Sequence, residues 1–367
     1  MQLKWLYSRH FRNLAEGTSE FSPRVNCFIG KNGQGKSSLL EAIWIASRGS
    51  SFRTQQLSDI PNYSSDGFFL ECGFERDNLD YELSLSFGAA GRRLTLNRRS
   101  YDSHSQLMSH PVGVVLPPHI QNLIKGPPPL RRHFLNSLLA EIDPLYAHHL
   151  ARYTRALKQR NVLLRKKDTR TCPAWEAELA ESASYLVLRR RQVTKELAPY
   201  IIGFFSMLHK ESTPSEIELQ YESRAPETSH AQEIADFYAR EFHARRPQEL
   251  LFGMSLAGPH RDELDLVVNG RNIRPLASEG EARISAIALK LAEWHLLKER
   301  LSISPLLLID DFGAYFDEER KAALFNEVFR FGQVFITCHT DLSGPESKTF
   351  HVEEGKITPQ VPLCQNL

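Results

Sequence analysis

The sequence predicts an α/β fold in which mixed sheets surround one glycine-loop helix and a mainly helical second lobe interrupts the chain. Three observations predict it. A strand, a glycine-rich loop and a helix follow one another directly between residues 21 and 44. An apolar strand, Leu306-Leu307-Leu308-Ile309, ends in the two acids Asp310-Asp311. Between these, from Pro127 to about residue 252, helical periodicity replaces strand alternation.

Residues 2–7 and 21–29 read as short strands, and 68–74, 80–87 and 92–96 alternate apolar with polar positions between turn residues such as Asp66-Gly67 and Gly88. A helix opens after Gly35 and carries Leu39, Leu40, Ile43 and Trp44 on one stripe. Three prolines at 127–129 mark a change of composition. Beyond them Tyr146, Leu150, Tyr153, Leu157 and Leu164 recur at helical spacing. After Thr171-Cys172-Pro173 so do Trp175, Leu179, Leu186, Val193 and Leu197, predicting an antiparallel helix pair. The chain then returns to a strand at 263–268 with an Asn269-Gly270 turn, a helix over about 279–300, the strand 306–309 and a last strand, Val334–Thr337. The organisation expected is 1–126 and 253–367 as two parts of one domain, with 127–252 as the inserted lobe.

With 367 residues the chain is long enough to bury a full core without disulfides. Lysine plus arginine number 45 against 44 aspartates and glutamates, so any affinity for a polyanion must come from local clustering. The five cysteines are scattered and never spaced C-x-x-C, which excludes a disulfide framework and a cysteine-rich zinc site and fits a reducing cytosol. Neither a signal peptide nor a run of 18 apolar residues is present, so a cytoplasmic protein without a membrane span is expected.

Charge does cluster in one place. Between Tyr146 and Arg170 stand eight basic residues (Arg152, Arg155, Lys158, Arg160, Arg165, Lys166, Lys167 and Arg170) and one acid, Asp168. Arg189, Arg190 and Arg191 lie on the partner helix. Arg152, Arg155, Lys158, Arg160, Arg165, Lys166 and Lys167 are therefore the candidate DNA contacts.

Gly30-Lys31-Asn32-Gly33-Gln34-Gly35-Lys36-Ser37 satisfies the phosphate-loop pattern at every fixed position. Its glycines let successive N–H groups curl around phosphate oxygens, Lys36 places a point charge on the β- and γ-phosphates, and Ser37 offers a hydroxyl to Mg²⁺. The following helix directs its positive end at the anion. Asp310, at the carboxyl end of a buried strand, is the matching Mg²⁺ partner, and Asp311 would orient or deprotonate the attacking water. His339, after the strand 334–337, would meet the γ-phosphate or hold that water.

Ser278-Glu279-Gly280-Glu281 opens the helix that precedes the acidic strand. It reads as a capping box in which the serine oxygen accepts from the N–H of Glu281. The same serine, with Gly280 allowing close approach, makes an anion site suited to the γ-phosphate held by a second subunit.

Phosphate loop, helical insertion, Ser-x-Gly-Glu signature, double-acid strand and terminal histidine in this order resemble the head of an ABC-type or SMC-like P-loop ATPase. More closely, the chain is similar to the RecF family of bacterial recombination and gap-repair ATPases. The similarity runs through Phe11-Arg12-Asn13, Gly30–Ile43, Ser51-Phe52-Arg53-Thr54, Leu123-Ile124-Lys125-Gly126, Leu157-Lys158-Gln159-Arg160-Asn161, Gly258-Pro259-His260-Arg261-Asp262 and Leu289-Lys290-Leu291-Ala292-Glu293. The resemblance implies ATP and Mg²⁺ as cofactors, with Gly30–Ser38, Arg12 and Arg53 around the nucleotide. It also implies a homodimer on ATP binding in which Ser278, Gly280 and Glu281 of one subunit close the site of the other. RecF-like proteins bind double-stranded and gapped DNA, cooperate with RecR and RecO, and help load RecA at gaps.

Two segments depart from the family pattern. Leu116-Pro117-Pro118-His119-Ile120-Gln121 stands where relatives carry an acidic loop, and Phe312-Gly313-Ala314-Tyr315-Phe316-Asp317 where they carry a Ser-Glu-Leu-Asp run. Gln121 and Asp317 are the residues to which the family roles transfer. A weak, DNA-stimulated ATPase is the expectation. Two alternatives share the same site chemistry: an ABC-type ATPase subunit with a membrane partner, and an ATP-switched scaffold that hydrolyses little.

Overall fold

The computed structural model describes residues 1–102, 111–209, 216–313, 318–339 and 347–360. From the amino end run β1 (Gln2–Arg9), β2 (Gly17–Glu20), β3 (Val25–Ile29), α1 (Lys36–Arg48), β4 (Phe68–Arg76), β5 (Leu79–Gly88), β6 (Gly91–Leu96), β7 (Arg99–Tyr101) and β8 (Gly113–Leu116). Then come α2 (Asn122–Lys125), α3 (Pro128–Ile142), α4 (Pro144–Lys166), α5 (Cys172–His209), β9 (Ile217–Glu222), α6 (Ala231–Phe252), β10 (Glu263–Val268), β11 (Arg271–Asn272) and α7 (Glu279–Leu301). The chain finishes with β12 (Leu306–Ile309), α8 (Glu318–Val328), β13 (Val334–Cys338), β14 (Ser347–Glu353) and β15 (Lys356–Pro359).

Packing divides the chain into two compact units, Met1–Ile120 with Leu301–Leu367, and Gln121–Arg300. The stretch 253–300 therefore packs with the helical unit, through β10 against β9 and α3, whereas its sequence motifs had grouped it with the carboxyl-terminal part of the ATPase domain.

Among its described residues the first unit contains two six-stranded sheets. One is antiparallel, in the order β2-β1-β4-β5-β6-β7; the other runs β15-β14-β3-β13-β12-β8 and is parallel from β14 to β8. Helix α1 shares a core with both: Leu39, Leu40, Ala42, Ile43, Ile45 and Ala46 are buried among Leu3, Leu6, Leu70, Leu83, Leu306 and Phe335. Each such leucine or isoleucine contributes about 1.5–3 kcal/mol relative to exposure, so the helix that follows the glycine loop is anchored on more than one side. The parallel pairing aligns Ile309 with Ile336 and Cys338 with Ile29, placing the carboxyl ends of β12, β13 and β3 along one edge, where α/β sheets hold ligands.

Val334–Thr337 is not the last strand. β14 and β15 follow it, and β14 pairs in parallel with β3. The polar residues of β14 and the four-residue length of β15 hide them from a periodicity reading. β2, β7, the four-residue strand β8 at the end of its sheet and β9 within the helical stretch are likewise additions to the sequence expectation.

In the second unit α4 and α5 pack as the expected antiparallel pair: Asp143 meets Tyr185 and Arg189, Arg152 meets Glu178 and Glu181, and Arg160 meets Glu176. Helix α4 starts where Asp143 accepts from the N–H groups of Leu145 and Tyr146, with Pro144 at the first helical position. It stops at Lys167, whose φ of 57° is left-handed. The Asn269-Gly270 turn joins β10 to β11 with φ of 50° and 73°, as the primed hairpin turn requires.

Of the Gly258–Asp262 string, Gly258, Pro259 and Asp262 are buried in this unit, His260 is partly buried and Arg261 is exposed. The Arg190 guanidinium donates to Tyr146 Oη at 3.0 Å, Asn136 Oδ1 at 2.9 Å and the Pro259 carbonyl at 2.8 Å, and sits 3.9 Å from Asp262. Tyr221 donates to the same aspartate. His260 Nε2–H donates to the Ser255 carbonyl at 3.2 Å, which leaves Nδ1 to accept from Tyr153 Oη at 2.6 Å. These residues join α3, α4, α5 and β9 to the start of β10, a structural assignment for a string whose role sequence reasoning did not supply.

Candidate functional site

The glycine loop runs from the end of β3 into α1. Two of its glycines are required by their surroundings. A Cβ on Gly30 would lie 2.3 Å from the Val352 carbonyl oxygen of β14, and Gly35 precedes α1 with a φ of 113°. The turn between β14 and β15 docks on the loop: Gly355 N–H donates to the Gln34 carbonyl at 2.9 Å and Glu354 N–H to Gln34 Oε1 at 2.6 Å. Asn13 braces it from the other side, donating to the Gly33 carbonyl at 2.8 Å and accepting from Ser38 Oγ at 2.8 Å. The loop is thereby held in shape by the protein's own groups.

Lys36 Nζ folds back on the carbonyls of Gly30 and Lys31. Burial pushes its ammonium below the ordinary lysine range, and the nearby charges of Asp311 and Asp310 only partly oppose that shift. An anion in the loop would give this cation the partner that two neutral carbonyls do not.

Asp310 stands at the end of β12, 3% exposed. Its Oδ1 accepts from Ser37 Oγ at 2.9 Å and Thr337 Oγ1 at 2.7 Å, while Oδ2 is buried with no hydrogen-bond partner among the described residues. Burial raises this carboxyl above the usual aspartate range despite those two donors. An orphaned carboxylate oxygen beside a serine hydroxyl at a phosphate loop fits a hard divalent cation, so the donors present suit Mg²⁺. Thr337 also accepts from the Asp311 N–H at 2.7 Å, tying the two acids to β13. Asp311 has a left-handed φ of 60°, and its Oδ1 lies 3.6 Å from His339 Nε2. The acid and the histidine expected to share the attacking water are thus brought together.

Arg12 and Arg53, expected around the nucleotide, both grip Glu41 of α1. Arg12 donates through Nε at 3.0 Å and Nη2 at 2.9 Å, and Arg53 through Nη1 at 3.1 Å. Glu41 is fully buried. Glu41, Asn13 and Thr337 were missed in the sequence; the Phe11-Arg12-Asn13 string was the available signal for Asn13.

The signature residues belong to the second unit. Ser278 Oγ accepts from Glu281 N–H at 3.1 Å, as the capping box requires, and a Cβ on Gly280 would meet only that oxygen, at 3.9 Å. The start of α7 is open to an approaching group. Lys125 Nζ clamps this end, donating to the Ala277 carbonyl at 3.1 Å and to Glu279 Oε1 at 3.0 Å. Gln121 precedes α2 with its side-chain oxygen buried and unpartnered among the described residues, and Asp317 lies outside them.

The basic helix needs one correction. Arg160 is not a surface cation: it is fully buried, paired with Glu176 at 2.9 Å and Glu249 at 2.6 Å, and donates to Ser255 Oγ and the Phe242 carbonyl. It falls seven residues after Tyr153 and fourteen after Tyr146, on the inward stripe of α4. Arg152 is held by Glu178 and Glu181. Arg155, Lys158, Arg165, Lys166 and Lys167 are exposed.

Among the described residues no cluster of metal-ligating side chains stands apart from this site, and no helix is long and apolar enough to cross a membrane. Fold and site together define an ABC-type ATPase head of the kind found in SMC proteins, carrying a helical lobe. The model of the RecF/RecN/SMC N terminal domain matches residues 2–350, and the chain belongs to the RecF family within it. It is 38% identical over 338 residues to the DNA replication and repair protein RecF of Protochlamydia amoebophila (strain UWE25), covering 92% of this chain and 94% of that one. To the RecF of Chlamydia caviae it is 31% identical over 372 residues and the full length of both. Among solved structures it is similar to the recombination mediator protein RecF bound to ATP in the RecFOR pathway, with a TM-score of 0.90, 26% identity and 98% of each chain covered. An Smc head domain from Pyrococcus furiosus, 14% identical with a TM-score of 0.55 over 98% of this chain and 96% of that one, shares the fold alone.

Proposed function

We propose that this chain is a cytoplasmic ATP-dependent DNA-binding protein of recombinational repair and replication-fork maintenance. On this reading ATP and Mg²⁺ drive its dimerisation on duplex or gapped DNA, hydrolysis is slow, and with RecO and RecR it helps load the strand-exchange recombinase at single-strand gaps. The observation that carries the nucleotide part is the Asp310 carboxylate, shared with Ser37 on one oxygen and bare on the other, at the mouth of a braced phosphate loop. Relatives named for DNA replication and repair, and a similar structure of RecF with ATP, support the rest.

Ser37 and Asp310 would hold Mg²⁺, which when bound neutralises charge on the β- and γ-phosphates. Lys36 would leave the carbonyls of Gly30 and Lys31 for phosphate oxygens, and the N–H groups of Gly33–Ser38 would line the anion. Asp311 orients the attacking water and takes its proton, with His339 beside it. Ser278 and Gly280 of a second subunit would close the pocket, Glu281 N–H keeping its bond to the serine. The exposed cations of α4 and its last turn would neutralise DNA phosphates.

The test is fluorescence anisotropy of a labelled duplex with ATP and Mg²⁺ across a salt series. Wild type should show a steep fall of affinity with salt. The combined variant Arg155→Ala, Lys158→Ala, Lys166→Ala, Lys167→Ala should bind more weakly on every sequence with a slope shallower by about one per lost phosphate contact. Equal slopes would remove α4 from the interface.

A further inference from the structure

Two nucleophilic residues that the nucleotide chemistry does not use meet on the strands that carry the candidate site. Cys27 on β3 and Cys338 at the end of β13 are buried thiols, 0% and 2% exposed, with their sulfurs 2.9 Å apart. The parallel register sets Cys27 opposite Ile336 and Cys338 opposite Ile29, so the pair stands on neighbouring strands, two positions out of step and on the same face. Both strands end at the site. Ile29 leads into Gly30 of the glycine loop, and Thr337, next to Cys338, donates to Asp310 Oδ1 at 2.7 Å and accepts from the Asp311 N–H at 2.7 Å. Burial lowers the pKa of Lys36, and Asp311 and Cys338 oppose that shift, which puts the Cys338 sulfur within electrostatic reach of the loop's cation. Cys72 on β4 and Cys172 at the start of α5 belong to other parts of the fold.

A disulfide needs its sulfurs about 2.05 Å apart on Cβ atoms about 3.5–4.5 Å apart, a spacing that side chains on adjacent strands can reach. We propose that Cys27 and Cys338 form a redox modification site, a dithiol that hydrogen peroxide converts to a disulfide and that, once bridged, weakens ATP binding at the neighbouring loop. Cys338 reacts first, because it ends its strand beside His339, whose side chain is 46% exposed, whereas Cys27 is sealed within β3. Its sulfur attacks a peroxide oxygen, the O–O bond breaks, and the departing hydroxide takes the thiol proton to leave as water. The Cys27 sulfur then attacks the sulfenic acid, the S–O bond breaks, and a second water leaves with the Cys27 proton. Two thiols have lost two electrons and one peroxide has become two waters. Forming the bond closes the gap between the sulfurs by roughly 1 Å. In a close-packed sheet that shift passes to Ile29 and Gly30 on one side and to Thr337 and His339 on the other. The loss of ATP affinity rests on the nucleotide reading above, while the bridge itself does not.

The test treats the full chain with hydrogen peroxide, with and without Mg²⁺-ATP, blocks the remaining thiols with N-ethylmaleimide and identifies linked peptides by mass spectrometry. Affinity for a fluorescent ATP analogue is measured before and after. A peptide joining Cys27 to Cys338 should appear, more slowly when ATP fills the loop, while Cys72 and Cys172 stay as thiols. The bridged protein should bind the analogue roughly 5- to 150-fold more weakly, the usual range of coupling between two sites, and dithiothreitol should restore it. Cys27→Ala and Cys338→Ala should each abolish both the link and the response to peroxide, and in Cys27→Ala dimedone should trap the sulfenic acid on Cys338. Peroxide-treated wild type without the linked peptide, or with a bridge that leaves ATP affinity unchanged, overturns the proposal, and neither result depends on how a variant folds. A reduced protein that binds no analogue sinks the ATP reading and the regulatory effect with it, and the linked peptide then decides the modification site alone.

Discussion

Ser37 Oγ, at the second position of α1, donates to Asp310 Oδ1 at 2.9 Å, while Oδ2 of the same carboxylate is buried without a hydrogen-bond partner among the described residues. A bare oxygen of this kind costs on the order of 1–3 kcal/mol in a folded protein, more when charged. A divalent cation answers both the missing partner and the burial that raises the carboxyl's pKa.

Asp310→Asn should therefore weaken the affinity for Mg²⁺-ATP at least about tenfold, the loss of one charged ligand. Calorimetric titration with and without a chelator checks this. Chelation should weaken wild-type binding and change the variant little, because both remove the same contact.

Asp311→Asn offers a clean test of hydrolysis. The residue sits at a φ of 60°, which asparagine adopts readily, so the backbone is preserved and only the proposed base is lost. Steady-state phosphate release should fall about 100-fold or more, the share of a general base. Wild-type release no faster than that of the variant would instead support an ATP-switched scaffold.

Arg160 and Lys158 should separate stability from binding. Arg160→Ala leaves Glu176 and Glu249 buried beside a lost partner and should destabilise the fold by about 3–5 kcal/mol in denaturant unfolding. Lys158→Ala, at an exposed position, should stay within about 0.5 kcal/mol of wild type and weaken only DNA binding.

His260 gives a pH signature. Burial lowers its pKa from 6.5 to about 4, and its two bonds need the neutral ring. A depressed folded-state pKa means that the stabilisation is complete above pH 6.5 and is lost as pH falls towards about 4, with an upper bound near 3 kcal/mol. His260→Gln, which can accept from Tyr153 and donate to Ser255 without titrating, should flatten the melting temperature between pH 7 and 4.5.

The candidate nucleotide site was legible because its signals are local. Gly30–Ser37 has fixed spacing, the stripe of α1 lies within a few turns, and the apolar run before Asp310 is uninterrupted. β8, only four residues long, and the β14–β15 hairpin escaped because each is defined by its pairing with distant strands. Glu41 carries no sequence mark of its role, since an acid within a helix reads as solvated until Arg12 and Arg53 are seen to converge on it. Arg160 was hidden in a basic run, although its heptad spacing from Tyr146 and Tyr153 placed it on the buried stripe.

Sedimentation velocity of wild type, Lys36→Ala and Ser278→Arg, each with ATP and Mg²⁺, with and without DNA, bears most directly on the claim that two copies complete each other's nucleotide site. Wild type should shift to a dimer with ATP, and both variants should stay at the monomer value, Lys36→Ala for want of nucleotide and Ser278→Arg because the bulky cation blocks the neighbour's pocket. A wild type that never self-associates, or a Ser278→Arg protein that dimerises as readily, would contradict it.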